Sequence, residues 1–493
     1  MKLHRLLDGV DAVAKRLDES AEISLVTVDS RHVIPGALFV AVPGLIVDGH
    51  DFIEQAIRRG ATAIVSEKPL SREAISFVQV RDSREALARI AANFYDRPAE
   101  KLRLIGVTGT SGKTTTTKMV ESILEATGEP VGLIGTIEYR AGSVREIADR
   151  TTPDAIVLHN WFARMVDEGV RLAVMEVSSH ALALRRTYGI PFAAAAFTNL
   201  SRDHFDFHKD FEDYFAAKKM LFDQIDRTRP SGVVNGDDEY GRRLATELGP
   251  AAMTFGRGDE HDIHPGPGFE VAIGGLHGTL ITPMGPIRVD SPLLGWPNLY
   301  NWMAAAGVAL AAGIERDAIE EGIRNLKTVR GRFEQIESDG GEAILVDYAH
   351  KPDALEKLLR AVRELAPSRR ILLVFGCGGD RDAGKRPLMG AIAATMADRT
   401  IVTSDNPRGE DPLVIIRQIE DGYREAGRGE CEAVPDRREA IARAVAEAGP
   451  DTVVVIAGKG HETYQVVGDE ILHFDDREEV EFALRKKREK SIR

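Results

Sequence analysis

IGVTGTSGKTTT, residues 105–116, is the stretch whose reading decides the fold. Leu104, Ile105 and Val107 make an apolar run that reads as a buried strand, breaking into a glycine-containing turn and then a helix starting near Lys113. That order makes an anion cradle. Gly109 and Gly112 permit backbone conformations that bring N–H groups close to a phosphate, the helix N-terminus adds partial positive charge, and Lys113 neutralises terminal phosphates. Thr114 is placed to hold Mg²⁺. The common Walker form would want glycine at 107, where this chain has Val107, so the match is to a shorter GTxGKTT variant. A glycine-rich turn that binds nothing is the plain alternative, and Gly-Lys-Thr-Thr at a strand-to-helix junction argues against it.

Outward from this stretch, the chain of 493 residues is too long for one core, so two to four domains, about three, are expected. Lys plus Arg number 64 against 77 Asp plus Glu, a net charge of −13, and no large basic block could track a nucleic-acid backbone. Nucleic acid is therefore not an expected partner. Cys377 and Cys431 are too few for a disulfide framework and fit a reducing compartment, and zinc is not expected. The N-terminus, MKLHRLLDGVDAVAKRLDE, carries Asp8, Asp11 and Asp18 at amphipathic spacing, and no apolar run reaches membrane-spanning length. A soluble, cytoplasmic monomer is expected. The basic end, LRKKREKSIR, reads as a solvated helix terminus favoured by the macrodipole.

Before the cradle, SLVTVDSR, PGALFVAVPG and DGHDFIEQAIRRGATAIV read as strand, strand, helix and strand, a small α/β unit closed by the helix SREALARIAANFY. Ser30 with Arg31, and Gly49 with His50, could hold a polar or diphosphate-bearing ligand, although alone they read as turn residues. From 101 to about 333, VGLIGT, LAVMEVS and AAAAFTN are strands and DAIVLHNWFARMVDEG a helix. Near-continuous apolar strands between helices mean a parallel sheet covered on both faces, with ligands at the strand carboxyl ends. FEVAIGGLHGTLITPMGPIRVD reads as an antiparallel insert, and PNLYNWMAAAGVALAAG as the closing helix. From Glu334, the strands EAILVDYA, ILLVFG, TIVTSD and TVVVIAG mark a second doubly wound α/β domain. ILLVFGCGGD resembles a dinucleotide fingerprint only loosely, since Arg381 stands at the third glycine position, and NAD is rejected. The fold class is α/β in three domains: residues 1–98, a small N-terminal α/β domain; 99–333, a central P-loop parallel-sheet domain; and 334–493, a C-terminal Rossmann-like domain.

The strand LAVMEVSSH ends in Glu176, Ser178 and His180, and the next runs into TNLSRDHFDFH, so two strand ends deliver Glu176, Asp203 and His204 towards one rim. A hard divalent cation on nucleotide phosphates wants few, mostly oxygen, protein ligands. Glu176 and Thr114 suit that. His204 is softer, and a lone histidine is more often a structural hydrogen-bonder, so its place beside Asp203 leaves both roles open.

Together GTSGKTT at 109, MEVSSHAL at 175, FTNLSRDHFDFH at 197, AAKK at 216, Asn298 with Asn301, RGRFE at 330, DYAHKPD at 347, GCGGDRDAGKRPLM at 376, DNPR at 405 and GKGHETYQ at 458 resemble the Mur ligases. These ATP-dependent enzymes add amino acids to the UDP-linked muramoyl peptide of bacterial cell walls. The resemblance runs from about Ser30 to Gln465 and is nearest to members that add the third residue, in their meso-diaminopimelate version. It implies ATP and UDP-N-acetylmuramoyl-L-alanyl-D-glutamate as substrates and Mg²⁺ as cofactor. Such a ligase phosphorylates a carboxylate and lets an amine attack the acyl phosphate, so catalysis is mainly positioning and charge neutralisation.

By the same resemblance, ATP meets Gly109, Thr110, Ser111, Gly112, Lys113, Thr114 and Thr115, with Asn301 on the adenine side, Asp347 at the ribose and Arg332 reaching the phosphates. Thr114 and Glu176 hold one Mg²⁺ and His204 helps hold a second. Lys218 matches a lysine that the family carbamylates to N6-carboxylysine, an oxygen-rich anion able to ligate metal where a plain ammonium would repel it. Without that match it would read as a surface lysine. His350 and Lys351 follow Asp347, and a hinge near Glu334 is expected. Ser30, Thr151, Thr152, Ser178 and Arg186 are implicated in the UDP-muramoyl dipeptide, Arg186 as a fork for a carboxylate, while Leu184 replaces a polar side chain found in some relatives. For meso-diaminopimelate the set is Arg381, Asp405, Asn406, Pro407, Arg408, Gly458 and Glu462. Arg408 is the specificity residue, because lysine lacks the far carboxylate and would leave its guanidinium unpaired, a loss of about 2–5 kcal/mol. Alternatives are a lysine-adding relative, expected to lack Arg408, a folylpolyglutamate synthetase, with no use for DNPR, and a P-loop switch that joins nothing.

Overall fold

The computed structural model describes residues 1–18, 20–70, 75–338, 340–427 and 430–491. Two compact units emerge: one comprises residues 1–264, 281–287 and 301–322, and the other residues 265–280, 288–300 and 323–493. Three α/β sheets carry the architecture, accompanied by a small sheet in 264–291 and a hairpin, Tyr464–Val467 with Glu470–His473.

In the first unit, the N-terminal sheet runs Ala12–Arg16, Ser76–Val80, Ala63–Ser66, Ala37–Val40, Leu25–Thr27 in spatial order. All neighbours are parallel except the first pair. That edge strand departs from the amphipathic spacing of the opening residues. Only Leu3–Leu6 is helical there, because pairing to Ser76–Val80 outweighs the local pattern. The fully buried strands Ala37–Val40 and Ala63–Ser66 are the central ones, as their unbroken apolar runs require.

The second sheet of this unit has eight strands and places Arg103–Thr108 between Leu172–Glu176 and Phe192–Phe197. Both pairings are parallel, with Glu176 opposite Val107 and Phe197 opposite Thr108. Three chain exits therefore open on one rim beside the glycine loop, which is what positions the site. The sheet is not wholly parallel: Glu138–Ala141 and Val144–Ile147 add an antiparallel hairpin at one edge. Their runs are short, the first half-buried and the second exposed throughout, and lack the apolar signature of the buried strands. Asp82 and Asp154 cap the helices Ser83–Phe94 and Ala155–Asp167 by accepting their first backbone N–H groups.

His159, on the second of these helices, is 2% exposed and lies edge-on to Phe162 with ring centroids 5.8 Å apart. Burial, and then the Arg89 charge, push its imidazole down to about 4. A histidine that titrates near 6.5 when unfolded binds its proton there before the folded form does, so stability falls as pH drops from 6.5 towards 4. The loss should approach about 3 kcal/mol. Denaturant melts between pH 7 and pH 4 should show that slope, and His159→Phe should flatten it.

The second unit is built on a six-stranded sheet: Glu334–Ile336, Ala343–Asp347, Thr452–Ala457, Arg370–Phe375, Arg399–Val402 and Glu430–Ala433 in spatial order. Only Glu334–Ile336 is antiparallel. Ala457 lies opposite both Asp347 and Phe375, so the loops beginning at Tyr348, Gly376 and Gly458 leave from one edge, with the 403–408 loop next to them. Among the described residues no helix is long and apolar enough to cross a membrane. The helix Asp476–Ser491 takes up most of the basic end, whose last two residues lie outside the described set.

Candidate active site

The glycine loop is shaped by close approach. Gly109 and Gly112 have φ of +148° and +88°. A Cβ on Gly109 would fall 1.9 Å from Thr198 Oγ1, and one on Gly112 2.5 Å from Asn301 Oδ1. Only glycine fits either place. Thr198 Oγ1 donates to Ser111 O at 2.6 Å, Ser111 N donates to Asn199 Oδ1 at 3.0 Å, and Thr110 N to Asn199 O at 2.9 Å. Thr110 Oγ1 lies 3.2 Å from the Tyr214 hydroxyl. Lys113 opens the helix Lys113–Glu125, and its ammonium folds over the loop to donate to Gly109 O at 2.8 Å and Thr110 O at 3.1 Å. Thr115 and Thr116 are buried in the first turn, Thr116 Oγ1 donating to Asn301 Oδ1 at 3.3 Å.

Next to the helix start, Thr114 Oγ1 donates to Glu176 Oε2 at 3.0 Å. The carboxylate also accepts from Thr136 N at 2.7 Å and Thr136 Oγ1 at 3.0 Å, and Thr136 Oγ1 is 3.1 Å from Thr151 Oγ1. A hydroxyl and a buried carboxylate at a helix N-terminus form a hard oxygen pair suited to Mg²⁺. His204, at φ +56°, has its Nε2 3.3 Å from Asp203 Oδ2 and its ring 4.7 Å from that of His180.

Lys218 is the least ordinary group here. It is 1% exposed, near the end of the helix Phe211–Lys219, and donates to Gly109 O at 2.8 Å while its ammonium lies 4.3 Å from the Tyr214 ring centre. Burial, with the Lys113 charge adding to it and Asp203 opposing, holds its pKa well below the usual lysine value. A surface lysine, the reading open without the family match, is excluded.

Thr152 Oγ1 donates to Glu176 O at 2.8 Å and accepts from Ser178 N at 3.1 Å, while Arg186 Nη1 donates to Thr152 O at 2.8 Å. Ser178 caps the short helix Ser179–Ala183. Thr151, Thr152, Ser178 and Arg186 thus meet beside Glu176. Ser30 stands apart from them in the N-terminal sheet layer, buried and donating to Gln55 Oε1 at 2.8 Å. His50 is committed to structure, its Nδ1 2.6 Å from Asp48 Oδ1 and its Nε2 accepting from Glu67 N at 3.1 Å.

In the second unit, the Asp347 carboxylate accepts from Phe333 N at 2.7 Å and Ala349 N at 2.8 Å, and burial raises its pKa. The Arg332 guanidinium sits 4.7 Å from the Tyr348 ring centre. Burial pushes His350 down to about 4, leaving it neutral at pH 7. On the neighbouring strand exits, Asn406 Nδ2 donates to Glu462 Oε2 at 3.0 Å and Asn406 Oδ1 accepts from Val466 N at 3.0 Å. Lys459, wholly buried, donates to Asn406 Oδ1 at 3.2 Å and Glu462 Oε2 at 3.4 Å, and a Cβ on Gly458 would lie 2.9 Å from Asp405 Oδ2. Arg408, at φ +51°, donates from Nη1 to Gly379 O at 2.8 Å and from its backbone N to Val466 O at 3.0 Å. Pro407 is buried and Arg381 exposed.

Asp405, Asn406, Arg408, Gly458 and Glu462 are therefore one cluster. Sequence reasoning passed over Thr136, Tyr214 and Lys459. Lys459 lies within GKGHETYQ and could have been weighed there, whereas nothing in VGLIGT points to the Glu176 carboxylate that Thr136 supports, nor anything in the helix around Tyr214 to the glycine loop.

Profiles of three domains match the chain: the Mur ligase family catalytic domain over residues 22–95, the Mur ligase middle domain over 107–309, and the Mur ligase glutamate ligase domain over 331–460. A UDP-N-acetylmuramoyl-L-alanyl-D-glutamate–2,6-diaminopimelate ligase from Geobacillus thermodenitrificans is 44% identical, covering 99% of this chain and 100% of its own. The ligase of the same name from Geobacter metallireducens is 45% identical over 94% of both. A solved structure of a ligase of that name superposes with a TM-score of 0.71 at 31% identity over 99% of each chain. MurF from Acinetobacter baumannii shares the fold, with a TM-score of 0.61 at 20% identity over 93% of this chain and 96% of its own.

Proposed function

The chain belongs to the Mur ligase family, and from that premise we propose that it joins meso-diaminopimelate to UDP-N-acetylmuramoyl-L-alanyl-D-glutamate, using ATP, in bacterial peptidoglycan precursor synthesis. The observation that carries this reading is the 44% identity, along 99% of the chain, to a ligase of that name. The lysine-adding and folate alternatives have no comparable support.

The reaction makes an amide from an unreactive carboxylate, so the γ-phosphoryl group is first passed to the acceptor's carboxylate oxygen, releasing ADP. The amine then attacks the acyl carbon, phosphate leaves with the C–O bond electrons, and the amine loses a proton. In our assignment the backbone N–H groups from Gly109 to Thr115 cradle the phosphates, and Lys113 exchanges the carbonyls of Gly109 and Thr110 for phosphate oxygens. Asn301 takes the adenine side, Asp347 the ribose and Arg332 the phosphates. Thr114 and Glu176 would hold Mg²⁺, with His204 and a carbamylated Lys218 as further ligands; bound there, the ion supplies charge neutralisation for the phosphates. Ser30, Thr151, Thr152, Ser178 and Arg186 are assigned to the UDP-muramoyl dipeptide. Arg381, Asp405, Asn406, Pro407, Arg408, Gly458 and Glu462 are assigned to meso-diaminopimelate. We further propose residues 1–98, 99–333 and 334–493 as the UDP-substrate, ATP and amino-acid portions.

The test is phosphate release with ATP and the UDP-linked dipeptide. Release should require both co-substrates and be fast with meso-diaminopimelate but slow with L-lysine. Release without any amino acid would point to the nucleotide switch, and equal turnover of the two amines would remove the substrate assignment.

A further inference from the structure

Two loops of the second unit run unusually close together. One follows the strand Arg370–Phe375 and holds Gly378, Gly379 and Asp380; the other holds Asn406–Glu410. A Cβ on Gly379 would fall 1.9 Å from Pro407 O, and Gly379 N donates to Asn406 O at 2.9 Å. Asp380 and Arg408 are both left-handed, at φ +52° and +51°. Non-glycine residues persist in that region only where their surroundings over-determine them.

The constraint comes from beneath. Arg386, in the first turn of the helix Lys385–Met396, is 1% exposed, and its fork serves both loops. Nη1 donates to Glu410 Oε2 at 2.9 Å and Gln418 Oε1 at 2.7 Å, while Nη2 donates to Glu410 Oε1 at 2.8 Å and Gly378 O at 3.2 Å. Glu410 passes the constraint on, its Oε1 accepting from Asp380 N at 2.6 Å, and Asp380 Oδ2 in turn accepts from Gly409 N at 2.9 Å. The Arg408 guanidinium is aimed by Gly379 O, the residue between the two that Arg386 and Glu410 fix. A planar fork with two parallel bonds to one carboxylate sets direction as well as distance, which lysine cannot reproduce.

We propose that Arg386, through its two-bonded pair with Glu410, is a positioning residue for selection of the amine substrate: it holds the 376–381 loop against the 406–410 loop and thereby aims Arg408. The proposal rests on the assignment of Arg408 to meso-diaminopimelate made above.

The test uses the full-length enzyme, with phosphate release measured while each of the three substrates is varied in turn. Arg386→Lys and Glu410→Gln should each raise KM for meso-diaminopimelate about 10- to 100-fold. KM for ATP and for the UDP-linked dipeptide should stay within about twofold, and the preference for meso-diaminopimelate over L-lysine should fall by the same factor as the first change. In an Arg408→Ala background neither variant should raise that KM further. A fall in kcat with every KM unchanged, or effects that multiply with Arg408→Ala, would overturn the proposal by showing a merely structural role. Should Arg386→Lys fail to fold, Glu410→Gln, which leaves the buried guanidinium in place, separates the same two outcomes. Arg408→Ala without effect on KM for meso-diaminopimelate would sink the underlying assignment, whereas an effect there with none from Arg386→Lys and Glu410→Gln would sink this inference alone.

Discussion

Replacing Lys218 by alanine should lower phosphate release by about 10²- to 10³-fold, and added formate or acetate should restore part of it. Burial is the starting point: a lysine 1% exposed, under the glycine loop, close enough to Lys113 for that charge to depress it further. Burial favours the neutral form of its amine, the form that captures CO₂ to give a carbamate. The proposed carbamate would place an anion at the rim that carries Thr114 and Glu176. A small carboxylate diffusing into the space left by alanine can replace that charge, as a neutral additive cannot. Full activity of the unsupplemented variant would remove the carbamate from the mechanism. The same burial has a stability signature. An unmodified Lys218 binds its proton less readily in the folded chain than in the unfolded one, where it titrates at about 10.4, so the fold loses stability as pH falls below that value. Lys218→Met should consequently melt at a higher temperature than the uncarbamylated parent while being inactive.

Arg408→Ala should lower kcat/KM for meso-diaminopimelate by about 10²- to 10³-fold and leave the slow turnover of L-lysine nearly unchanged. The difference between these amines is one terminal carboxylate, and the loss of a single charge-assisted pairing in a sheltered site is large enough to separate them. The Arg408 backbone is bonded to Val466 and its side chain to Gly379, so the substitution removes a directed group from a loop held by other means. Parallel loss with both amines would mean that the loop, rather than the guanidinium, had been damaged.

Much of the fold is legible in the sequence. The glycine loop, the strands on either side of it and the second doubly wound sheet announce themselves through unbroken apolar runs and the residues at their ends. The edge strands Ala12–Arg16, Glu138–Ala141 and Val144–Ile147 did not, because they have few buried positions and so leave little pattern. Glu176 was legible from its place at a strand end, but its Thr136 partner was not. A threonine that supports a carboxylate from a neighbouring strand exit looks in sequence like any turn residue. Lys218 is the reverse case: composition and spacing favour a solvated helix position, the family match alone drew attention to it, and its burial is visible only in the fold.

The left-handed backbone at Arg408 carries a consequence for how amine choice can drift over evolutionary time. An arginine there costs roughly 1 kcal/mol that glycine or asparagine would recover, while the hydrogen bonds to Val466 and Gly468 run through main-chain atoms and tolerate any side chain. A lineage abandoning its doubly acidic substrate therefore meets little folding barrier at this codon, since the backbone strain recovered offsets the bond lost from Arg408 Nη1 to Gly379 O. On the assignment of Arg408 to the far carboxylate, an arginine at that position answers a demand of the substrate, against the grain of the backbone.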